Sequence, residues 1–231
     1  MAMASSSLSP VFAFDLDGTI TTREILPVLA QELGLAQEMA LLTRLTLDGT
    51  LDFAASFSLR FAVLRSIPVR RVQEIVAEIP LNAHIAGFIQ ERKDDCAILS
   101  GNLDCWVAPL VDRLGCRAYL STSRLENGLL CLDNILDKGE AVRELLRSGR
   151  KVAAIGESAN DLPMFKLADV RVAFAGVHEP LPEILRLADY VAKDGQDLCA
   201  WLETLGPVNT NPPTAKSRIF PKGKAALQQA D

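Results

Sequence analysis

The apolar positions of this chain change period along its length, and the changes mark its elements. Val11-Phe12-Ala13-Phe14 is a short unbroken apolar run, the pattern of a strand buried on both faces. From about residue 23 to residue 92 the period is helical. Leu26, Leu29, Ala30 and Leu33 have helical spacing, and Gly34 supplies a stop. Leu41, Leu42 and Leu45 predict a second helix, followed by a turn at Asp48-Gly49. Phe53, Phe57, Phe61 and Leu64 form an i, i+4 stripe, and Pro68 and Pro80 break further helices.

Strand-like runs then return. Cys96-Ala97-Ile98-Leu99 ends in Ser100-Gly101-Asn102, and a helix to about Leu114 and a strand over 117–120 follow. Asn127-Gly128, flanked by apolar residues within 124–132, signals a hairpin. A helix starts near Lys138. Further strands are predicted at 151–155, 170–174 and 190–192, with helices between them. Strands alternating with helices predict an α/β fold: a Rossmann-like, mostly parallel sheet with helices on both faces. A small all-helical cap is inserted after the first strand. The core then comprises residues 10–22 and 93–205, and the cap 23–92. Residues 206–231 carry Pro207, Pro212, Pro213 and Pro221, with four Lys/Arg against one acid, and read as a disordered basic tail.

With 231 residues, about half of them apolar, the chain can form one α/β domain with a small inserted module. A net charge of -5 argues against a nucleic-acid partner, whose phosphates call for a basic surface. The five cysteines are scattered, without C-x-x-C spacing, and are read as free thiols of a reducing compartment rather than as a zinc site or disulfide framework. No apolar run reaches membrane-span length, and the first ten residues lack the pattern of a signal peptide. The expectation is a soluble cytoplasmic protein with no membrane partner.

Three polar clusters each follow a buried-strand signal: Asp15-Leu16-Asp17-Gly18-Thr19, Ser100-Gly101-Asn102, and the run from Gly156 to Asp161. In an open α/β sheet, ligands bind beyond the carboxyl ends of the strands, so the three clusters converge on one place. Asp15, Asp17, Glu157 and Asp161 make an oxygen-rich set suited to Mg²⁺, a hard cation. Crowding these carboxylates together without a cation would be costly through like-charge repulsion. Lys138, at a helix start where a lysine opposes the macrodipole, reads as functional rather than as a solvated surface group. Asn160 is placed to hydrogen-bond a phosphate or to cap the helix at Asp161. Asn102 is placed to cap the following helix or to narrow the pocket.

Asp15-Leu16-Asp17-Gly18-Thr19, Ser100, Lys138 and the Gly156–Asp161 run resemble the four ordered motifs of the haloacid dehalogenase superfamily. The resemblance covers roughly residues 11–205 and is nearest to the phosphoserine phosphatase branch. It implies a phosphatase in which Asp15 is the nucleophile that becomes phosphorylated, and Asp17 the general acid and then base. Ser100, the Gly101 N–H and Lys138 would hold the phosphoryl oxygens, and Mg²⁺ would offset their charge. Glu157 departs from the pattern, because the family usually has aspartate there.

The same resemblance extends to the substrate. Glu24, nine residues after Asp15, stands where phosphoserine phosphatases present a glutamate to the substrate's ammonium. Arg60 lies in a stretch similar to the segment whose arginine grips the substrate carboxylate, with Phe53 as an apolar lid. These features imply L-phosphoserine as the small phosphomonoester substrate. Alternatives are a sugar or keto-enol phosphate, since Asp104-Cys105-Trp106-Val107 is similar to other phosphatases of the subgroup, and a non-catalytic phospholigand-binding protein on the same scaffold.

Overall fold

The computed structural model describes residues 9–47 and 50–206. Seven strands build one sheet: β1 (Val11–Phe14), β2 (Cys96–Leu103), β3 (Arg117–Glu126), β4 (Leu129–Asn134), β5 (Val152–Gly156), β6 (Val170–Phe174) and β7 (Tyr190–Ala192). Their order is β4-β3-β2-β1-β5-β6-β7. Every neighbouring pair is parallel except β3 and β4. β1 therefore lies at the centre, between β2 and β5, where the direction of winding reverses. That reversal opens a crevice at the carboxyl ends of the strands.

Alternation along β1 divides the core. Phe12 and Phe14 enter the larger apolar cluster on one face, and Val11 and Ala13 enter the cluster on the other. The first face is covered by α5 (Ala83–Glu91), α6 (Asp104–Leu114) and α10 (Gly195–Glu203), through Phe88, Leu110, Leu198 and Leu202. The second is covered by α7 (Lys138–Leu146), α8 (Leu162–Phe165) and α9 (Pro182–Leu187), through Val142, Phe165 and Ile184. Full burial of each such side chain stabilises the fold by about 1.5–3 kcal/mol.

The helices after β1 are α1 (Ile25–Gln31), α2 (Ala36–Leu47), α3 (Phe53–Leu64) and α4 (Val69–Ala77). α3 begins at Asp52, whose side chain accepts from Ala55 N at 2.8 Å. Phe57, Phe61 and Leu64 are buried as their spacing predicts, in the same cluster that covers the sheet face. A single antiparallel bridge between Thr21 and Leu81 marks where the chain leaves the sheet and returns. α5, which lies inside the 23–92 stretch, packs on the sheet: the Phe88 ring meets Phe12 edge-on at 5.2 Å.

Several expectations need correction. α1 ends at Gln31, so Leu33 lies past the helix and is exposed. On α2 the buried position is Met39, while Leu41 faces solvent. β2 runs on through Ser100, Gly101 and Asn102 to Leu103, where its pairing with β3 shifts register. β3 extends to Glu126, because the hairpin prolongs it well past Leu120. Asn127 and Gly128 both have positive φ, 51° and 78°, as a two-residue hairpin turn requires. The five cysteines are free thiols. Among the described residues no helix is long and apolar enough to cross a membrane. The turn at Asp48-Gly49 and residues 207–231 of the expected tail lie outside the described residues.

Candidate active site

β1 ends at Asp15, whose backbone N–H donates to Ile155 O of β5 at 2.9 Å. The chain then winds through residues 16–20 and closes with Thr21 N on Leu16 O at 2.9 Å. Gly18 allows that winding, with φ of 70°. A β-carbon there would also lie 2.8 Å from Glu157 Oε1 and 3.0 Å from the His178 ring. Sterics therefore demand glycine twice over, and the two aspartates that precede it have different partners.

Asp15 is buried and points at Lys138. The Lys138 ammonium, only 2% exposed, donates to Asp15 Oδ1 at 2.5 Å and to Asp161 Oδ1 at 2.6 Å. Burial alone would push this lysine down, but the two carboxylates outweigh it and hold the ammonium above its ordinary range. Lys138 reaches this place because Asp137 caps α7, accepting from Gly139 N at 2.7 Å. Asp161 Oδ2 accepts from Glu157 N at 2.9 Å and Ser158 N at 2.8 Å, so the loop after β5 folds around its own acid.

Glu157 is buried beside them, and its Oε2 accepts from the Thr19 hydroxyl at 2.7 Å. Carboxylate oxygens of Asp15, Glu157 and Asp161 lie within 4.8 Å of one another. One lysine cannot neutralise three buried acids. Burial first, and then Asp161, push Asp15 well above the usual carboxylate range; burial and then Asp15 push Glu157 up to about 10. A divalent cation fits this set, because it removes the repulsion and the donors are all oxygen.

Asp17 is held apart from that cluster. Its Oδ1 accepts from Ile25 N at 2.9 Å, and its Oδ2 from the Asn102 amide. Desolvation, with Glu24 adding repulsion, raises its pKa to about 7. An acid so poised suits proton exchange near neutrality. Asp17, expected as a fourth metal ligand, is not in the triad; both its carboxylate oxygens are engaged by Ile25 N and the Asn102 amide.

Asn102 does not cap α6, whose first turn instead has Asp104 Oδ1 accepting from Cys105 N at 2.7 Å. Its amide nitrogen bridges Asp17 and Ser100 Oγ, the latter at 3.1 Å, so it sets the wall of the pocket. Gly101 is required by contact: a β-carbon would lie 2.5 Å from the Phe53 ring. The Phe53 ring thus lies directly against Gly101. Asn160 Oδ1 accepts from Ser158 Oγ at 2.5 Å, and the residue lines the pocket.

A cavity of about 700 Å³ joins these groups, with Glu24, Phe53, Arg60, Asn102 and Asn160 in its wall. Arg60 donates from Nη2 to Thr43 Oγ1 at 3.0 Å, while its buried Nε has no partner. Asn102 Oδ1 is likewise buried and unpaired. Glu24 is raised by burial, with Arg60 the leading opposing influence. Asp15, Asp17, Glu24, Phe53, Arg60, Gly101, Asn102, Glu157 and Asn160 line this crevice, and Ser100, Lys138 and Asp161 are hydrogen-bonded just behind it. Thr19, which positions Glu157, and His178, beside Glu24, were not anticipated. His178 follows the end of β6, the same kind of position that marked the other clusters.

The haloacid dehalogenase-like hydrolase family model matches residues 12–166, two-thirds of the chain. This chain belongs to that family. The relative from Methanocaldococcus jannaschii, a phosphoserine phosphatase, is 27% identical over 175 residues, covering 70% of this chain and 83% of the relative. The phosphoserine phosphatase of Wolinella succinogenes is 30% identical over 178 residues, covering 70% and 85%. A solved structure described as a phospho-aspartyl intermediate analogue of phosphoserine phosphatase superposes with a TM-score of 0.71 at 25% identity, over 84% of this chain and 99% of that one. The family, the fold and the buried acidic site agree in making the chain a phosphatase.

Proposed function

We propose that the chain is a magnesium-dependent phosphomonoester hydrolase working through an aspartyl phosphate on Asp15, with L-phosphoserine as its substrate. The observation that carries this reading is the division of labour between two aspartates two residues apart. Asp15 is bonded to Lys138 within the acidic triad, whereas Asp17 is held by Ile25 N and the Asn102 amide with its pKa near 7.

In this mechanism Asp15 attacks phosphorus and the bond to the seryl oxygen breaks. Asp17 gives its proton to that leaving oxygen. Asp17 then takes a proton from the water that attacks phosphorus, and the bond to Asp15 breaks to release phosphate. Mg²⁺ held by Asp15, Glu157 and Asp161 would neutralise charge on the phosphoryl group. Lys138, Ser100 Oγ, the Gly101 N–H and the Asn160 amide hold the phosphoryl oxygens. Arg60 meets the substrate carboxylate, its unpaired Nε supplying part of the guanidinium fork. Glu24 meets the ammonium. Helices α1–α4 act as the cap, with Phe53 closing the pocket.

A second reading draws on the breadth of the cavity. Leu26, Pro27, Leu51 and Phe57 give it an apolar side, which suits a phosphomonoester bulkier and less polar than phosphoserine. A phosphate-release panel decides between them, run with Mg²⁺ and with chelator, on L-phosphoserine, phosphothreonine, sugar phosphates and a keto-enol phosphate. The expected result is metal-dependent release with phosphoserine preferred. Preference for another ester would replace the substrate assignment, and release unaffected by chelator would overturn the metal. A cytoplasmic location belongs to the same proposal.

A further inference from the structure

His178 lies on the loop from β6 to α9, and its Nε2 is 3.1 Å from Glu24 Oε1. That loop is pinned at both ends. Ala175 N donates to Ala192 O at 2.8 Å, and Leu181 N donates to Glu157 O at 3.0 Å. The second bond ties it to the loop that carries the acidic triad. The ring is also fixed against the catalytic turn: a β-carbon on Gly18 would meet His178 Cδ2 at 3.0 Å and Glu24 Oε1 at 3.4 Å. His178 and Glu24 both line the cavity, next to Asp17. A core residue therefore holds the one carboxylate that the proposed function assigns to the substrate's ammonium.

We propose that His178 is a specificity-determining residue that competes with the ammonium of the substrate for Glu24, and so sets how strongly the site prefers phosphomonoesters bearing an amine. The inference rests on the proposed role of Glu24. An ammonium that takes Oε1 must share it with the imidazole or displace it, and one that takes Oε2 meets a carboxylate already engaged through its other oxygen. A phosphomonoester without an amine leaves the pair intact and gains nothing from Glu24. Both side chains are nearly half exposed, 48% and 42%, so water screens the pair and displacement costs little. His178 acts through Glu24 and does not reach the reacting atoms. It is a positioning residue, and its removal alters selection rather than chemistry.

The test measures two inhibition constants against p-nitrophenyl phosphate hydrolysis by the full chain. One inhibitor is L-phosphoserine. The other is O-phospho-3-hydroxypropionate, which keeps the phosphate and carboxylate but lacks the ammonium. In His178→Ala the constant for phosphoserine is expected to fall about fivefold, the scale of one solvent-screened hydrogen bond. The constant for the deaminated ester stays as it was. His178→Gln retains a donor for Glu24 and should keep the native ratio. A ratio unchanged in His178→Ala overturns the proposal, whether both constants stay or both move together, and so does the absence of inhibition by phosphoserine in the native protein. Separately, inhibition by phosphoserine without its hydrolysis would refute the substrate assignment while leaving the ratio readable.

Discussion

The Thr19 hydroxyl donates to Glu157 Oε2 at 2.7 Å, tying the turn after β1 to the loop after β5. That bond shows how the Glu157 side chain is held: Oε2 is anchored by Thr19, and Oε1 lies toward the neighbouring Gly18 of the same turn.

The anchored carboxylate is expected to be a metal ligand. Glu157→Gln should raise the Mg²⁺ concentration for half-maximal activity by about tenfold or more, and Thr19→Val by less, since it only frees the side chain. Glu157→Asp should keep or improve metal binding. Titration of Mg²⁺ against phosphate release reads all three, and native metal dependence in both Glu157 variants would remove Glu157 from the ligand set.

Asp17 is expected to matter in proportion to the basicity of the leaving group. Asp17→Asn should lower kcat on phosphoserine by about 10²–10⁴-fold. In the first step, read as the burst of alcohol or phenol release, it should harm p-nitrophenyl phosphate much less, because nitrophenolate departs without a proton, whereas hydrolysis of the aspartyl phosphate should slow alike for both. Equal losses in the burst on both esters would mean that Asp17 shapes the loop through its bond to Ile25 N and gives no proton to the leaving group.

Arg60→Ala should raise KM for phosphoserine strongly and leave p-nitrophenyl phosphate nearly unaffected, since the latter has no carboxylate. Lysine should restore only part of the loss, lacking the planar fork. If both substrates suffer alike, the bond from Arg60 to Thr43 is supporting the helical layer instead.

Gly101→Ala places a methyl 2.5 Å from the Phe53 ring and must push the lid outward. The expected fall in kcat/KM for phosphoserine is up to about a hundredfold, the cost of an ångström-scale misplacement. Adding Phe53→Leu should recover part of it. Failure of the double variant to recover would place the fault in the strand β2 backbone rather than in the lid.

Much of this architecture was legible because buried strands and their terminal loops have opposite compositions. Phe12 and Phe14 identified β1, and Asp15 followed as the first polar residue beyond it. The start of α7 near Lys138 was legible too, though not its cap, which is Asp137 accepting from Gly139 N. What the residues could not reveal were distances between segments far apart in sequence. Thr19 has an ordinary turn reading until Glu157 is seen 138 positions later at hydrogen-bond distance. Asn102 offered capping and pocket-wall readings, and only the closeness of Asp17 decides for the second. Leu41 was misplaced because α2 turns Met39 inward, a choice set by packing rather than by period.

The account stands most directly on Asp15. Its test is rapid acid quench of the protein turning over L-phosphoserine with Mg²⁺, followed by peptide mapping in a mass spectrometer. The expected result is one phosphoryl group on the peptide carrying Asp15, with both adduct and turnover lost in Asp15→Asn. Sustained turnover by a clean Asp15→Asn preparation, or a phosphoryl group on a different residue, would contradict it.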